Sequence, residues 1–434
     1  MMPPDNPQSP IPNPQSRYAL CALLLLLSAF AMVHLSLRLM GQAHYHSARE
    51  VLRDGYFGLA RAQLEKAEHE QPGDPAIHKA LGRVYFELGA LKPNAQGASG
   101  FARKSRESYT AAAAINPLDA QSAYGIARAE VRLEELYRYL HPENKDTPHN
   151  PAAHFEEAIR LRPNGILYRY ANARYLHRKG RNHELLSSIR ELARIYPPSY
   201  YYLRKEAFWS PTVKEACGEG LEAAVNENIS PRSARMALSS MAAGDQQWPA
   251  AILLYKEALR YKAFDNRPGN YIHLGGLYLK NGQFIDARPC FFRALNMSRS
   301  RDREMARLYH LYRKQKQSDR FEQFYRDADR TLILPAGAEI ILARTLMDLK
   351  QYNQAGRLLT ELVHKRPDAA AYYWLARIAQ AEKEWDAMEL AIQKATVLEP
   401  ENSRYHSLFS WALKRKKKFK RAAEEAALAR KFKK

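Results

Sequence analysis

The chain has 434 residues, and its 67 Lys and Arg against 46 Asp and Glu give a formal net charge of +21. This charge favours contact with something acidic, whether a protein face, anionic lipid, an acidic glycan or nucleic acid, and does not choose among them. Only three cysteines are present, and Cys21 lies in an apolar segment, so Cys217 and Cys290 are the only possible soluble pair. That number excludes a disulfide-framework protein.

The N-terminal residues predict a tail followed by a membrane segment. Residues 1–17 are polar and rich in proline, which is typical of a disordered, polyproline-II-like tail. Tyr18–Leu37 contains no Asp, Glu, Lys or Arg and, at about 20 residues, is long enough to cross a bilayer as a helix. We predict an uncleaved transmembrane signal anchor over residues 18–40. A cleaved signal peptide is the alternative, because Ala29–Ala31 has the small-x-small form of a cleavage site.

The charges that flank this segment leave its orientation open. Arg17 precedes it, whereas Arg38, Arg49 and Arg53 follow it. The positive-inside rule therefore leans towards a cytoplasmic C-terminal domain. A short tail with one arginine is also common before a signal anchor that exports the residues behind it.

A repeating pattern begins soon after the segment and is clearest in residues 268–301. There, large and small apolar residues recur at helical spacing on both sides of a break at Asn281 and Gly282. The residues concerned are Tyr271, Leu274, Gly275 and Tyr278 before the break and Phe284, Ala287, Phe291 and Ala294 after it. The small residues Gly275 and Ala287 predict close packing of two antiparallel helices. Neither helix can bury its apolar stripe alone, so further copies must stack on both sides.

This pattern resembles the tetratricopeptide repeat, a helix-turn-helix of roughly 34 residues. The resemblance implies an all-α, right-handed superhelical solenoid of about ten such repeats, preceded by one N-terminal transmembrane helix. We place an N-terminal array at 41–199, with loop insertions at 90–100 and 141–151. A degenerate repeat region follows at 200–231, and a C-terminal array with a polybasic end occupies 232–434.

The search for catalytic chemistry gives no motif. The sequence has no glycine-rich phosphate loop, HExxH, CxxC or GxSxG. Its densest histidine group, His141, His149 and His154, surrounds a Pro-rich insertion and lacks cysteine or a carboxylate triad, so we interpret it as a solvated loop. We therefore predict no catalytic residue, metal or cofactor and no enzymatic activity.

The resemblance also implies a binding surface, because the first helix of each repeat lines the concave side of the superhelix. Arginine and asparagine there can bind a carboxylate or backbone, and aromatic residues can anchor a side chain. Family members that clamp a C-terminal carboxylate use a specific Lys/Asn set, which this sequence does not reproduce. The candidate groove contacts are Lys79, Arg83, Tyr168, Asn172, Arg344, Tyr373, Arg377, Trp411 and Lys414.

Residues 414–421 carry seven cations in eight positions. They fit either the polar cap that a terminal repeat needs or a contact with anionic lipid, acidic polysaccharide or nucleic acid. Nucleic acid ranks below lipid or protein, because only Phe419 interrupts the cations and it also fits a repeat core position. The candidate polyanion contacts are Lys416, Lys417, Lys418, Lys420 and Arg421.

Residues 196–209 contain four tyrosines, Phe208 and Trp209. Such a density of amphipathic aromatic residues suits either a protein or sugar interface or the filling of a join between two imperfect repeats, and we favour filling.

We interpret the whole as a single-pass inner (cytoplasmic) membrane scaffold that binds other proteins through its concave groove. The tether raises the local concentration of whatever the groove holds beside membrane partners. Bacterial proteins of similar layout often serve envelope assembly, including polysaccharide or lipid-linked pathways. The alternative is a basic glycan- or nucleic-acid-binding protein that uses the cationic groove and tail. No oligomeric state is predicted.

Overall fold

The computed structural model describes residues 14–144, 147–261, 267–332, 334–335 and 337–433. Every regular element in these ranges is a helix, so the all-α prediction is confirmed. Residues 1–13 of the predicted tail lie outside the described residues, and residues 14–17 already belong to the first helix. Contacts divide the chain into two compact units, unit 1 (Met1–Gly220) and unit 2 (Leu221–Lys434).

Within each unit, consecutive helices mostly pack against each other as antiparallel hairpins. Unit 1 contains α1 (Pro14–Arg53), α2 (Phe57–Glu70), α3 (Pro75–Ala90), α4 (Ala95–Ile115), α5 (Ala120–Leu140), α6 (Pro151–Leu161), α7 (Ile166–Arg178), α8 (Asn182–Ile195), α9 (Tyr200–Leu203) and the first part of α10 (Pro211–Asn226). Unit 2 begins with the rest of α10. It then contains α11 (Pro231–Gly244), α12 (Trp248–Leu259), α13 (Pro268–Lys280), α14 (Phe284–Met297), α15 (Arg301–Lys314), α16 (Ser318–Thr331), α17 (Gly337–Asp348), α18 (Tyr352–Lys365), α19 (Ala369–Glu382), α20 (Trp385–Leu398), α21 (Ser403–Arg415) and α22 (Phe419–Lys431).

The turns inside the hairpins of unit 2 show the repeat period directly. Each contains one residue in the left-handed region, with φ between 56° and 76°. These residues, 33 to 36 positions apart, are Gln246, Gly282, Lys316, Lys350, Lys383 and Lys417. The tetratricopeptide repeat has a period of about 34 residues. The hairpins are therefore of tetratricopeptide type, as the sequence pattern predicted.

Several helices begin at a side chain that caps the free amides of the first turn. Asp74 accepts a hydrogen bond from the Ala76 amide at 2.8 Å, and Asp368 accepts one from the Ala371 amide at 3.0 Å. Aspartate is among the best capping residues because its carboxylate satisfies amides that have no partner within the helix. These caps fix where the first helix of a repeat starts.

Aromatic rings wedged against glycines hold neighbouring helices of unit 1 together. The Tyr109 ring of α4 lies between Gly82 of α3 and Gly125 of α5. A Cβ on either glycine would lie within 2.7 Å of a Tyr109 ring atom, closer than real contacts allow. The small residues predicted at the repeat packing positions therefore let the backbones approach the ring.

The first helix joins the predicted membrane segment to the first repeat without a break. Large apolar side chains from Leu23 to Met40 are exposed, whereas Ala48, further along α1, is buried against α2. From Ala22 the helix contains a stretch with mean hydropathy 2.0, none of it buried within the protein. By length and composition this helix can cross a membrane, a property that anchors share with signal sequences.

Candidate binding grooves

Unit 2 has a cavity of about 430 Å³ between α15, α17 and α19, which we call the arginine pocket. Its polar and aromatic lining comprises Tyr309, Arg313, Arg344, Asp348, Tyr352, Trp374, Arg377 and Gln380. A second cavity, of about 940 Å³, lies between α19, α21 and α22, and we call it the C-terminal groove. It is lined by Tyr373, Arg377, Arg404, Trp411, Arg430 and Lys433, among others. Because Arg377 lines both cavities, they form one continuous surface along α19.

Arg344 lines the arginine pocket beside two aromatic rings. Its guanidinium carbon lies 4.6 Å from the centre of the Tyr309 ring and 4.9 Å from the centre of the Trp374 ring. Cations are attracted to the faces of aromatic rings at such distances. Both rings therefore attract the charge of the guanidinium.

Asp348 fixes one of these two rings. The Tyr309 hydroxyl donates a hydrogen bond to Asp348 Oδ2 at 2.8 Å, and Arg313 Nε lies 3.2 Å from the same oxygen. Burial, followed by the hydrogen bond and charge of Asp348, raises the pKa of Tyr309 to about 12. The tyrosine therefore stays neutral, and its hydroxyl keeps the proton that it donates to the aspartate.

Four of the sequence-predicted groove residues line this surface, namely Arg344, Tyr373, Arg377 and Trp411. Lys414 is exposed near the end of α21. Tyr373 stacks on Tyr405, with ring centres 5.2 Å apart, and Trp411 meets Trp385 edge to face at 5.5 Å. The aromatic walls are thus positioned by packing within unit 2.

The candidates in unit 1 are not gathered in the same way. Lys79 forms an ion pair with Asp119 at 3.2 Å, and Arg83 is exposed on α3. Tyr168 and Asn172 are buried, and the Tyr168 ring packs on Tyr124 at 4.9 Å. Neither of these two buried side chains enters the binding surface that we propose below.

Unit 1 instead has a groove of about 760 Å³ that sequence reasoning missed. Apolar residues form much of its wall, and its cations are largely neutralised, as in the pair of Arg174 Nε with Glu206 Oε2 at 3.6 Å. Arg128 covers the Phe86 ring at 4.1 Å. The groove runs along α5 from Tyr124 to Glu135, and no groove contact was predicted on this helix.

The aromatic segment at 196–209 contains both buried and exposed rings. Tyr200 and Phe208 are buried and fill the region after α8, which supports the packing interpretation for these two residues. Phe208 also lines the unit 1 groove beside His177, and Tyr202 is 58% exposed.

The histidines around the insertion lie near acidic side chains. His154 Nε2 is 3.8 Å from Glu130 Oε2, and burial lowers the pKa of His149. No group of three or more His, Cys, Asp or Glu side chains within the described ranges is placed to hold a metal ion.

Three of the five candidate polyanion contacts are engaged within unit 2. Lys416 Nζ lies 2.6 Å from Glu389 Oε2, Lys418 donates to both oxygens of the same carboxylate at 2.8 Å, and Arg421 lies 3.6 Å away. Glu389 is only 8% exposed. Burial alone would raise its pKa, but hydrogen bonds from Lys416 and Lys418 outweigh it and the pKa lies below its usual value.

Phe419 fits a core position by its sequence pattern. In the structure its side chain is 67% exposed, so it is not a core residue. Its equivalent one repeat earlier, Trp385, is covered by Trp411 of the following hairpin. In the part of the chain that the structure describes, α22 is the last helix, and no described hairpin covers Phe419 in that way.

No protein-family profile and no curated protein matches the sequence. Among solved structures, yeast Tom70 covers 90% of this chain and 92% of its own length at 14% identity, with a TM-score of 0.32. Cut9–Hcn1 of the APC/C covers 94% and 95% at 13% identity, with a TM-score of 0.30. YrrB, described as a tetratricopeptide-repeat protein with an unusual peptide-binding site, covers 41% and 92% at 16% identity, with a TM-score of 0.28. Likenesses this low carry no information on partners.

Proposed function

We propose that this chain is a membrane-tethered, non-catalytic tetratricopeptide scaffold that binds another protein along α19 of unit 2. One observation carries the proposal: the arginine pocket and the C-terminal groove meet at Arg377 and together present arginines beside tryptophan and tyrosine. These residue types are enriched in protein interfaces and dominate their binding energy. An extended segment of a partner could lie across both cavities.

The tether is the second part of the proposal. The apolar stretch of α1 continues as a helix into the first repeat, so an anchored α1 would hold unit 1 beside the inner membrane. Confinement to the membrane would raise the effective concentration of a bound protein beside other membrane proteins. We extend the proposal to cell-envelope or polysaccharide assembly. This step rests only on the order of a membrane segment followed by repeats, which bacterial proteins in such pathways often share.

Contact with a glycan or nucleic acid through the tail is the rival, and the structure offers it less charge than the sequence suggested. Lys416, Lys418 and Arg421 all contact Glu389. Their charges are therefore partly neutralised within unit 2, and of the five candidate polyanion contacts Lys417 and Lys420 are those without a described ion pair.

Site-specific photo-crosslinking in native membranes tests the scaffold. A photoreactive residue at Arg377 or Trp411 of the full chain should form a discrete protein adduct. The control position is Arg357, which is exposed on α18 and lines neither cavity. The same adducts from position 357, or adducts that nuclease or glycosidase digestion removes, would refute a protein-binding groove.

Reporter fusions at Lys434 test the side of the membrane. Activity of a periplasm-dependent enzyme there would support an envelope-assembly role and would overrule the cytoplasmic orientation that Arg38, Arg49 and Arg53 suggest. Fluorescence of a cytoplasm-only reporter would remove the support for periplasmic assembly and leave cytoplasmic proteins as partners.

A further inference from the structure

One donor of the half-buried Arg344 side chain has no acceptor among the described residues. Its Nε is buried and has no hydrogen-bond partner, and the described residues supply the side chain with no ion pair. A guanidinium carries five N–H donors in one plane. Because a buried donor without an acceptor is costly, such a group in a cavity marks a place where an acceptor is missing.

The acceptor has to come from outside the two rings. Tyr309 and Trp374 lie against the guanidinium and attract its charge, but their ring faces offer it no carboxylate or carbonyl oxygen. Within the pocket lining the acidic residue is Asp348, and it is already engaged by Tyr309 and Arg313.

The charge of the pocket selects an anion. Arg313, Arg344 and Arg377 face the single carboxylate of Asp348, so the lining carries an excess of positive charge. A carboxylate can accept two parallel N–H bonds from the edge of a guanidinium, and in a protein partner an acidic side chain supplies this group.

We propose that the guanidinium of Arg344, packed against Tyr309 and Trp374, binds the carboxylate of an acidic side chain in an extended segment of the partner protein. This assignment rests on the scaffold function proposed above. It specifies that the groove recognises an acidic side chain of the partner. Arg377, at the junction of the two cavities, lies where it can contact the neighbouring backbone or a second acid of the same segment.

A peptide-binding measurement on the full chain in lipid nanodiscs tests the assignment. The probe is fluorescein-labelled hexaglutamate with an amidated C-terminus, compared with hexaglutamine, by fluorescence anisotropy at constant ionic strength. We expect hexaglutamate to bind more tightly than hexaglutamine. Arg344→Lys keeps the charge but loses the planar fork, and should weaken binding about 10-fold. The matched control Arg357→Lys should leave it unchanged. Equal binding by Arg344→Lys and the unmutated protein, or no preference for hexaglutamate, would overturn the assignment.

Competition distinguishes the anions. Glutarate should displace hexaglutamate at a lower concentration than inorganic phosphate of the same ionic strength. Phosphate competing equally well would show a general anion site and refute carboxylate selection. A stronger effect of hexaglutamine with a free C-terminus than of amidated hexaglutamate would assign the site to a terminal carboxylate instead of a side chain.

A measurement on the unmutated protein guards against misfolding of the variant. The ¹⁵Nε–Hε resonance that disappears in Arg344→Lys should shift when hexaglutamate is added to the wild-type chain, and absence of a shift would also overturn the assignment. If photo-crosslinks from Arg377 and Trp411 persist while Arg344 gives no response, the scaffold function stands and the carboxylate assignment alone is wrong.

Discussion

Phe291 of α14 occupies the space that a side chain at Gly275 of α13 would need. A Cβ at Gly275 would lie 2.7 Å from Phe291 Cδ1, and Phe291 itself is fully buried. The sequence predicted a close approach of these two helices at Gly275. The structure shows that the Phe291 ring is the group that leaves no space for a side chain there.

Gly275→Ala should therefore destabilise the protein by about 1–3 kcal/mol, because a buried ring cannot move aside without disturbing its neighbours. The measurement is the shift in unfolding midpoint of the full chain in detergent micelles. Gly276→Ala is the matched control, since its Cβ would meet only Leu311, at 3.8 Å or more. Alanine favours helix over glycine, so the control should be neutral or more stable. Equal midpoints for the two variants would contradict the packing described for Gly275.

Lys383 ends α19 with φ at 64°, in the left-handed region that L-residues other than glycine enter at a cost. The next amide, Glu384 N–H, donates to the Ala379 carbonyl at 2.8 Å, which closes the helix end. Lys383→Gly should raise stability by about 0.5–1 kcal/mol, because glycine adopts this conformation without strain. The gain is smaller than the full strain energy, because glycine also has more conformational freedom in the unfolded chain.

Gly282 occupies the equivalent turn between α13 and α14, with φ at 76°. Gly282→Ala should change stability in the opposite direction, by about 1 kcal/mol, because nothing but backbone conformation is altered there. Thermal unfolding of both variants checks the pair. A loss of stability in Lys383→Gly would show that the lysine side chain contributes more than the strain costs.

The repeat could be predicted from the sequence because its signals are local. Helical spacing of apolar residues and a turn at Asn281 and Gly282 specify a hairpin, and residues such as Phe321 and Phe324 are buried as their pattern requires. The groove positions of α17 and α19 could also be carried over, because Arg344 and Arg377 each directly follow a small, fully buried residue at the same point of the repeat.

Other features depend on contacts that spacing alone does not contain. Tyr168 occupies a groove position by pattern but is buried against Tyr124. Phe419 fits a core pattern but has no following hairpin among the described residues to cover it. Glu206 and the buried Phe208 line the unit 1 groove from an irregular stretch after the short α9, for which the repeat pattern offers no template.

The uncleaved anchor gives a third prediction. The α1 helix runs without interruption through Ala29 and Ala31 and onward to Arg53, and it packs on α2 beyond Gly41. Cleavage after Ala31 would leave several exposed apolar residues at the new terminus. We therefore expect the protein isolated from membranes to have an intact mass that includes residues 1–31 and to resist alkaline extraction. A mature chain that starts at Met32 would establish the signal-peptide alternative.

Glu389 gives a pH-dependent prediction. Its pKa in the folded protein lies below the usual 4.5, since hydrogen bonds from Lys416 and Lys418 outweigh the opposing effect of burial. A group whose pKa is lowered by folding stabilises the folded state above its unfolded pKa, and the contribution is lost as pH falls through the folded value. Glu389→Gln should lower stability at pH 7 by about 1 kcal/mol or less, because its lysine partners are solvent-screened. The difference from the unmutated protein should persist down to about pH 4.5 and shrink in more acidic solution.

The two sets of cations in the polybasic end provide the control for this ion cluster. Lys416 and Lys418 contact Glu389, whereas Lys417 and Lys420 have no described contact with it. Lys416→Ala with Lys418→Ala should therefore reproduce most of the pH-dependent loss in the unfolding midpoint, because Glu389 is left buried with Arg421 as its remaining partner, 3.6 Å away. Lys417→Ala with Lys420→Ala removes the same charge from the same segment and should leave the midpoint and its pH dependence unchanged. Equal losses in both double variants would mean that the general charge of the segment, and not the contacts of Glu389, stabilises this end of unit 2.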